Sequence, residues 1–187
     1  TWNKDLLAHF GDAEQGGFFS TPDDGEPLLG RTKESYDGAI PSGNSVAMLN
    51  VLRLARLTGR TELEDVASKL GQAFASQVAQ APSAYTFMMS ALIFAVGPAF
   101  EIVIVGSKQD DNTQAFFNAL HKIFLPNKVV LLRTDDTESS DIDRYSSYVK
   151  SLERIDGQPT AYVCQNFACH MPTTDVDNMI KLVEDAL

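Results

Sequence analysis

A chain of 187 residues with 44% hydrophobic content can bury a real core, as one domain or two small ones. Its formal charge of −10 and pI near 4.6 repel phosphate backbones, which argues against nucleic-acid and anionic-membrane binding. No run approaches the ~20 apolar residues of a membrane span, no secretory leader pattern is present, and two cysteines do not make a secreted disulfide scaffold, so a cytoplasmic or organellar compartment is expected.

In chain order, "NKDLLAHF" reads as a short amphipathic helix that stops at Gly11. "GGFFST" follows as a brief strand, and "PDDGE" as a turn with Asp24-Gly25 at its tip. Residues 26–45 form a long polar connection. The next helix carries Val46, Leu49, Leu52 and Leu57 and ends at Gly59. "TELE" opens another, where Thr61 and Glu64 have capping-box spacing and the apolar stripe is Leu63, Val66, Ala67, Leu70, Phe74 and Val78. Pro82 ends it. A third helix covers residues 83–96, with Tyr85, Met88, Met89, Leu92 and Ile93 inward, and Gly97-Pro98 closes the region. Short links between these helices predict antiparallel neighbours.

Beyond Gly97 the period changes. "EIVIVG" is a continuous β-branched run, as a buried strand requires. "NTQAFFNALHKIF" is helical, "NKVVLLRT" is a second buried strand, and "DIDRYSSYVKSL" is read as helical. "DGQPTAYVCQN" gives a turn and a third strand, and "TTDVDNMIKLVEDAL" a capped terminal helix. Alternation of strand and helix predicts a small three-stranded parallel sheet with right-handed crossovers. The expected organisation is helical hairpins over residues 1–97 and an α/β segment over residues 98–187.

The densest set of polar side chains is Asp23, Asp24, Glu26, Arg31, Lys33, Glu34, Asp37, Ser42 and Asn44. Read structurally, this is a surface loop that builds a helix entrance: Ser42 or Asn44 caps it, Gly38 and Gly43 relax the backbone, and Pro41 stiffens it. Read functionally, a polar loop of this length is a candidate site. Lys33, Glu34 and Asp37 are then the catalytic candidates for acid–base work. Arg31, Lys33, Asp37, Ser42 and Asn44 are the substrate-binding candidates, with amides of the helix N-terminus adding a place for an anionic or hydroxyl group.

Cys164, Cys169 and His170 stand together in "YVCQNFACHMPTTD". Three readings stay open. The cysteines form a redox pair or disulfide, although the C-x4-C spacing is not the C-x-x-C of dithiol motifs. Alternatively, the three residues ligate zinc, one donor short of a closed site, with His9 and His121 not placed nearby. Lastly, Cys164 is a small hydrophobe ending a buried strand. "IVIVGSKQDD" lacks both G-x-G-x-x-G and G-x-x-x-x-G-K-[ST], so Ser107 and Lys108 make a weak anion site at most. Trp2, Phe18 and Phe19 are read as core before they are read as a sugar-stacking surface.

The stretch "GGFFSTPDDGEPLLGRTKESYDGAIPSGNSVAMLNVLRLARLTG", with "PNKVVLL" and "PTAYVCQNFACHMPTTD" further on, resembles the thioredoxin-domain-containing family of spermatogenesis-associated protein 20 and its bacterial and archaeal relatives. That resemblance covers nearly the whole chain. It implies a three-part parent: an N-terminal thioredoxin-like domain, a toroid of helical hairpins similar to sugar epimerases and six-hairpin glycosidases, and a C-terminal α/β segment. This sequence would hold the last helices of the toroid, an incomplete (α/α)6-type ring, and that segment. By the same analogy the loops entering the inner helices line a cavity, and Lys33, Asp37, Ser42 and Asn44 face it.

The leading functional expectation is therefore a fragment of a parent active on a carbohydrate or polyol, inactive alone. The alternatives are a thiol-linked protein using Cys164 and Cys169, or a non-catalytic interaction module. No cofactor is expected. The partners expected are a small carbohydrate-like ligand, the parent's thioredoxin-like and toroid parts, and a second copy through apolar helix faces that an incomplete ring leaves exposed.

Overall fold

The computed structural model describes residues 2–27, 29–134 and 141–186; Leu28 of the polar connection and Leu187 of the predicted terminal helix lie outside them. The chain divides into two compact units, one of residues 1–55 and 61–97, the other of residues 56–60 and 98–187.

In the first unit, α1 (Trp2–Asp5) runs into a π-helical turn (Leu6–Phe10) that stops at Gly11. Neither piece buries a residue, and Trp2 is exposed, against its reading as core. The strand expected at "GGFFST" is a single bridge from Gly11 to Phe18. Gly16 and Gly17 have φ of 76° and 78°, a backbone region that side chains rarely adopt, so this turn needs its two glycines.

Helix α2 (Gly43–Thr58) buries Ala47, Met48, Val51, Leu52 and Ala55. Val46 is exposed, so the inner face is turned by one position from the predicted stripe. Helix α3 (Glu62–Gln80) buries Leu63, Ala67, Leu70, Phe74 and Val78, as its period requires. The predicted capping box does not form. Thr61 sits at φ −64°, ψ −22°, already helical, so its hydroxyl makes no cap bond and only its carbonyl accepts from Glu64 N. A short 3-10 turn (Pro82–Ala84) leads into α4 (Thr86–Val96), which buries Met88, Ala91 and Phe94 and leaves Ile93 exposed. This helix is apolar on nearly every side, so its pattern could not mark the inner face. Gly71 of α3 faces both neighbours: a Cβ there would be in ordinary contact, 3.4 Å from Met48 Cε of α2 and 3.8 Å from Leu92 Cδ2 of α4. Among the described residues these helices form no ring.

The second unit is a sheet with helices on one face. Strands β1 (Phe100–Val105), β2 (Lys128–Arg133), β3 (Thr160–Gln165) and β4 (Ala168–Cys169) lie in the order β2-β1-β3-β4. β1 and β2 are parallel, with Glu101 opposite Val129 and Val103 opposite Leu131. The expected three-stranded parallel sheet does not form: β3 runs antiparallel to β1, β4 antiparallel to β3, and the sheet is four-stranded and mixed. A parallel return needs a crossover element lying along the sheet. Residues 141–152, read as helix, supply only two short 3-10 turns, and the tight turn at Asp156-Gly157 (φ 51° and 72°) feeds β3 in from the other end.

On one face Phe100, Ile102, Ile104, Ala161 and Val163 pack against Phe116 and Leu120 of α5 (Asp111–Lys122) and Met179 and Val183 of α6 (Val176–Glu184). On the other, Val103, Val105, Leu131 and Val149 pack with Tyr148, Leu152, Tyr162 and Leu57. β1 is buried along its whole length. The one ionisable side chain in it, Glu101, belongs to the second face by strand alternation.

Candidate functional site

The polar loop of the first unit is held by its own side chains. Asp37 is buried, and its Oδ1 accepts from Ser42 N at 2.9 Å while Oδ2 accepts from Phe87 N at 2.8 Å and Met88 N at 3.0 Å. One carboxylate thereby caps α4 and braces the entrance of α2. Burial alone would raise its pKa, but these amides and the Ser45 hydroxyl hold it below the usual carboxylate value. Asn44 is equally occupied: Oδ1 accepts from Phe18 N at 2.7 Å, and Nδ2 donates to Phe18 O at 2.9 Å and Glu34 O at 2.8 Å. Ser42 Oγ accepts from Ser45 N and meets Ser45 Oγ at 2.8 Å.

Lys33 Nζ donates to Asp12 Oδ2 at 2.8 Å and Gly16 O at 2.9 Å. Asp12 is held down to about 2 by the amide of Gln15 first and by Lys33 next. Arg31 donates to His9 O at 2.8 Å and to Thr21 O, and its guanidinium lies 4.2 Å from the centre of the Phe19 ring. Glu34 Oε1 accepts from Tyr36 N at 2.9 Å. Glu34 and Asn44 line an open cleft together with Phe10, Phe18, Phe19 and Ser20. His9 Nδ1 is 2.9 Å from Asp23 and 3.6 Å from Asp24, and the Asp23 hydrogen bond raises the imidazole pKa.

In the second unit Cys164 and Cys169 are bonded to each other. They lie directly opposite on β3 and β4, joined by the two-residue turn Asn166-Phe167. Both turn residues have positive φ, 51° and 62°, as a type I′ hairpin demands. Cys164 is 1% exposed at the end of β3, whereas Cys169 is exposed. His170 is exposed too, and its backbone N–H donates to Val163 O. While the sulfurs are joined, neither is a thiolate ligand for a metal.

Glu101 is opposite Cys164 across β1 and β3, so the row Glu101, Cys164, Cys169 shares one face of the sheet. Glu101 is 0% exposed. Its Oε1 accepts from Arg56 Nη1 at 2.8 Å, and its Oε2 accepts from Phe167 N, at the hairpin tip, at 3.1 Å. The Arg56 guanidinium lies 5.2 Å from the centre of the Phe167 ring, and Tyr148 meets that ring edge-on at 6.3 Å and 74°. Tyr148 Oη donates to Arg56 O at 3.2 Å; burial and then the Glu101 charge push its pKa up to about 12.

Sequence reasoning named both cysteines but neither Glu101, Arg56 nor Phe167. One signal was present: an acid inside an otherwise apolar strand has to find a partner when buried. Which cation would meet it was not encoded locally, since Arg56 precedes Glu101 by 45 residues.

The site thus defined is a disulfide-closed hairpin on a small mixed α/β sheet. No family model matches the chain. It is 38% identical over 175 residues to human spermatogenesis-associated protein 20, an alignment that takes in 93% of this chain and 22% of that protein. The rat protein of the same name is 37% identical over 175 residues, and an uncharacterized protein of Caenorhabditis elegans 23% identical over 167. Spermatogenesis-associated protein 20 is thus a homologue over most of the chain, and the chain spans 22% of its length. Among solved structures, spinach chloroplast thioredoxin f superposes with a TM-score of 0.35 at 12% identity, covering 51% of this chain and 82% of that one, a likeness too loose to define a fold.

Proposed function

We propose that this chain is part of a longer, thiol-linked protein and that the Cys164–Cys169 disulfide is its reacting group. The observation that carries the reading is the unequal placement of the two sulfurs: Cys169 is exposed on β4, while Cys164 is buried on β3. An incoming thiolate meets Cys169 first, forms a mixed disulfide with it and expels Cys164 as the leaving group. The homologous stretch belongs to a much longer protein. The resemblance to thioredoxin-domain-containing proteins supplies a source for the dithiol, a domain of the same polypeptide. Thiol counting tests this. In the folded protein, alkylation before and after treatment with a dithiol should read no free thiol and then two. Two thiols that are already free without reductant, or a disulfide that opens only on unfolding, would refute it.

A second reading rests on the cleft lined by Phe10, Phe18, Phe19, Ser20, Glu34 and Asn44. Aromatic faces beside a carboxylate suit a sugar or polyol. Here the other carboxylate oxygen of Glu34 is the polar contact, its Oε1 being held by Tyr36 N, because Asp37, Lys33 and Asn44 already serve the loop itself. Titration with simple mono- and disaccharides should give saturable binding that Glu34→Ala and Phe19→Ala weaken; no binding by the unaltered protein at millimolar sugar ends this reading.

A further inference from the structure

One of the two residues at the hairpin tip is an unusual choice for its conformation. Type I′ turns favour Asn-Gly, and Asn166 fits, but Phe167 places a large side chain at φ 62°. Such a position persists where its surroundings over-determine it. Here they do so three times: the N–H donates to Glu101 Oε2, the ring lies over Arg56, and Tyr148 packs on the ring edge. The carboxylate that holds the tip is itself buried and held by Arg56. It stands in the same cross-strand row as the cysteines that the tip connects.

We propose that Glu101 is the positioning residue of the Cys164–Cys169 pair. By gripping Phe167 N–H it keeps the two sulfurs in bonding register after the bond is opened, and so sets how readily a dithiol opens it. This inference rests on the thiol–disulfide reading above. The step is a two-electron exchange. A thiolate of an external dithiol attacks Cys169 Sγ, the Sγ–Sγ bond breaks, and Cys164 leaves as a thiolate that takes a proton from solvent. The donor's second thiol, after losing its own proton, attacks the donor sulfur of the mixed disulfide and releases Cys169 as a thiolate, which is protonated in turn. The donor ends as its own disulfide and the hairpin as two thiols. Because the grip holds the reduced hairpin closed, it raises the effective concentration of one thiol at the other and favours the disulfide.

The test measures the dithiol–disulfide equilibrium of the chain against graded ratios of reduced to oxidised dithiothreitol, with acid quench, alkylation and mass counting. Glu101→Gln keeps an acceptor oxygen but loses the charge that strengthens the hydrogen bonds to Phe167 and Arg56. Its disulfide should open at a ratio about tenfold lower than in the unaltered chain. The double variant Arg56→Met, Glu101→Leu removes the grip on Phe167 N–H and both charges together, and it should shift the equilibrium in the same direction. Should Glu101→Gln fail to fold, by circular dichroism, the double variant decides the matter. A folded variant with an unchanged equilibrium overturns the role of Glu101 while leaving the thiol reading intact. Absence of any exchange in the unaltered chain overturns both.

Discussion

Asp37 shows how much one buried carboxylate can organise. Three backbone amides, those of Ser42, Phe87 and Met88, point at it, and each would be orphaned without it. A hydrogen bond to a charged group contributes about 1.5–3 kcal/mol, and a stranded buried amide costs a comparable amount. Asp37→Ala should therefore lower stability by about 3 kcal/mol in urea unfolding, well beyond an ordinary loop substitution. The pH dependence follows from the lowered pKa of Asp37. A carboxylate with a depressed folded pKa contributes stability that is present above its unfolded value of about 3.9 and is lost as pH falls through the folded one. Asp37→Asn should start out less stable at neutral pH and lose less on acidification. Equal acid sensitivity of variant and parent would contradict this.

At the scale of elements, the helix starts differ in what holds them. Asp110 accepts from Asn112 N at 2.9 Å at the head of α5, and Asp175 accepts from Asn178 N at 2.7 Å at the head of α6. Replacing either by Ala should cost about 1 kcal/mol. Thr61→Ala should cost far less, because its hydroxyl makes no cap bond although its spacing from Glu64 matches a capping box. Denaturant midpoints of the three variants, measured side by side, check the ordering. The same contrast shows what was legible. The apolar stripe of α3 reads directly from its period, and the continuous run from Ile102 to Val105 reads as a buried strand. The inner faces of α2 and α4 do not, since a helix apolar on most sides buries whichever side its neighbours cover. Residues Ala168 and Cys169 were not legible as a strand at all, because two residues carry no period and are a strand only by pairing with Gln165 and Cys164.

At the scale of the folded molecule, the buried Arg56–Glu101 pair has a large stake in the second unit. Exposure of the two side chains is 8% and 0%. Removing one partner takes the ion pair from a buried charge, which costs about 3–5 kcal/mol. Arg56→Met should therefore destabilise the protein strongly. The double variant Arg56→Met, Glu101→Leu should be much less damaged than the sum of its single changes, because neither charge is then stranded. A double-mutant cycle from chemical unfolding measures the coupling, and strict additivity would show that the pair does not act as a unit. The polar loop adds the complementary lesson. Its side-chain density was visible in sequence and suggested a site. What the density could not reveal is that Lys33, Asp37, Ser42 and Asn44 turn inward on their own backbone and one another.

Local pattern alone determined where most helices and the three longer strands lie, because periodicity, proline and glycine act over a few residues and need no partner. It also determined that two cysteines sit near the end of a strand. The fold in three dimensions decided the direction of β3, the existence of β4, the joining of Cys164 to Cys169, and the meeting of Arg56, Glu101 and Phe167. Each of these depends on which distant segment arrives beside another. That choice is made by burying the whole sheet at once, not by any stretch of the chain read by itself.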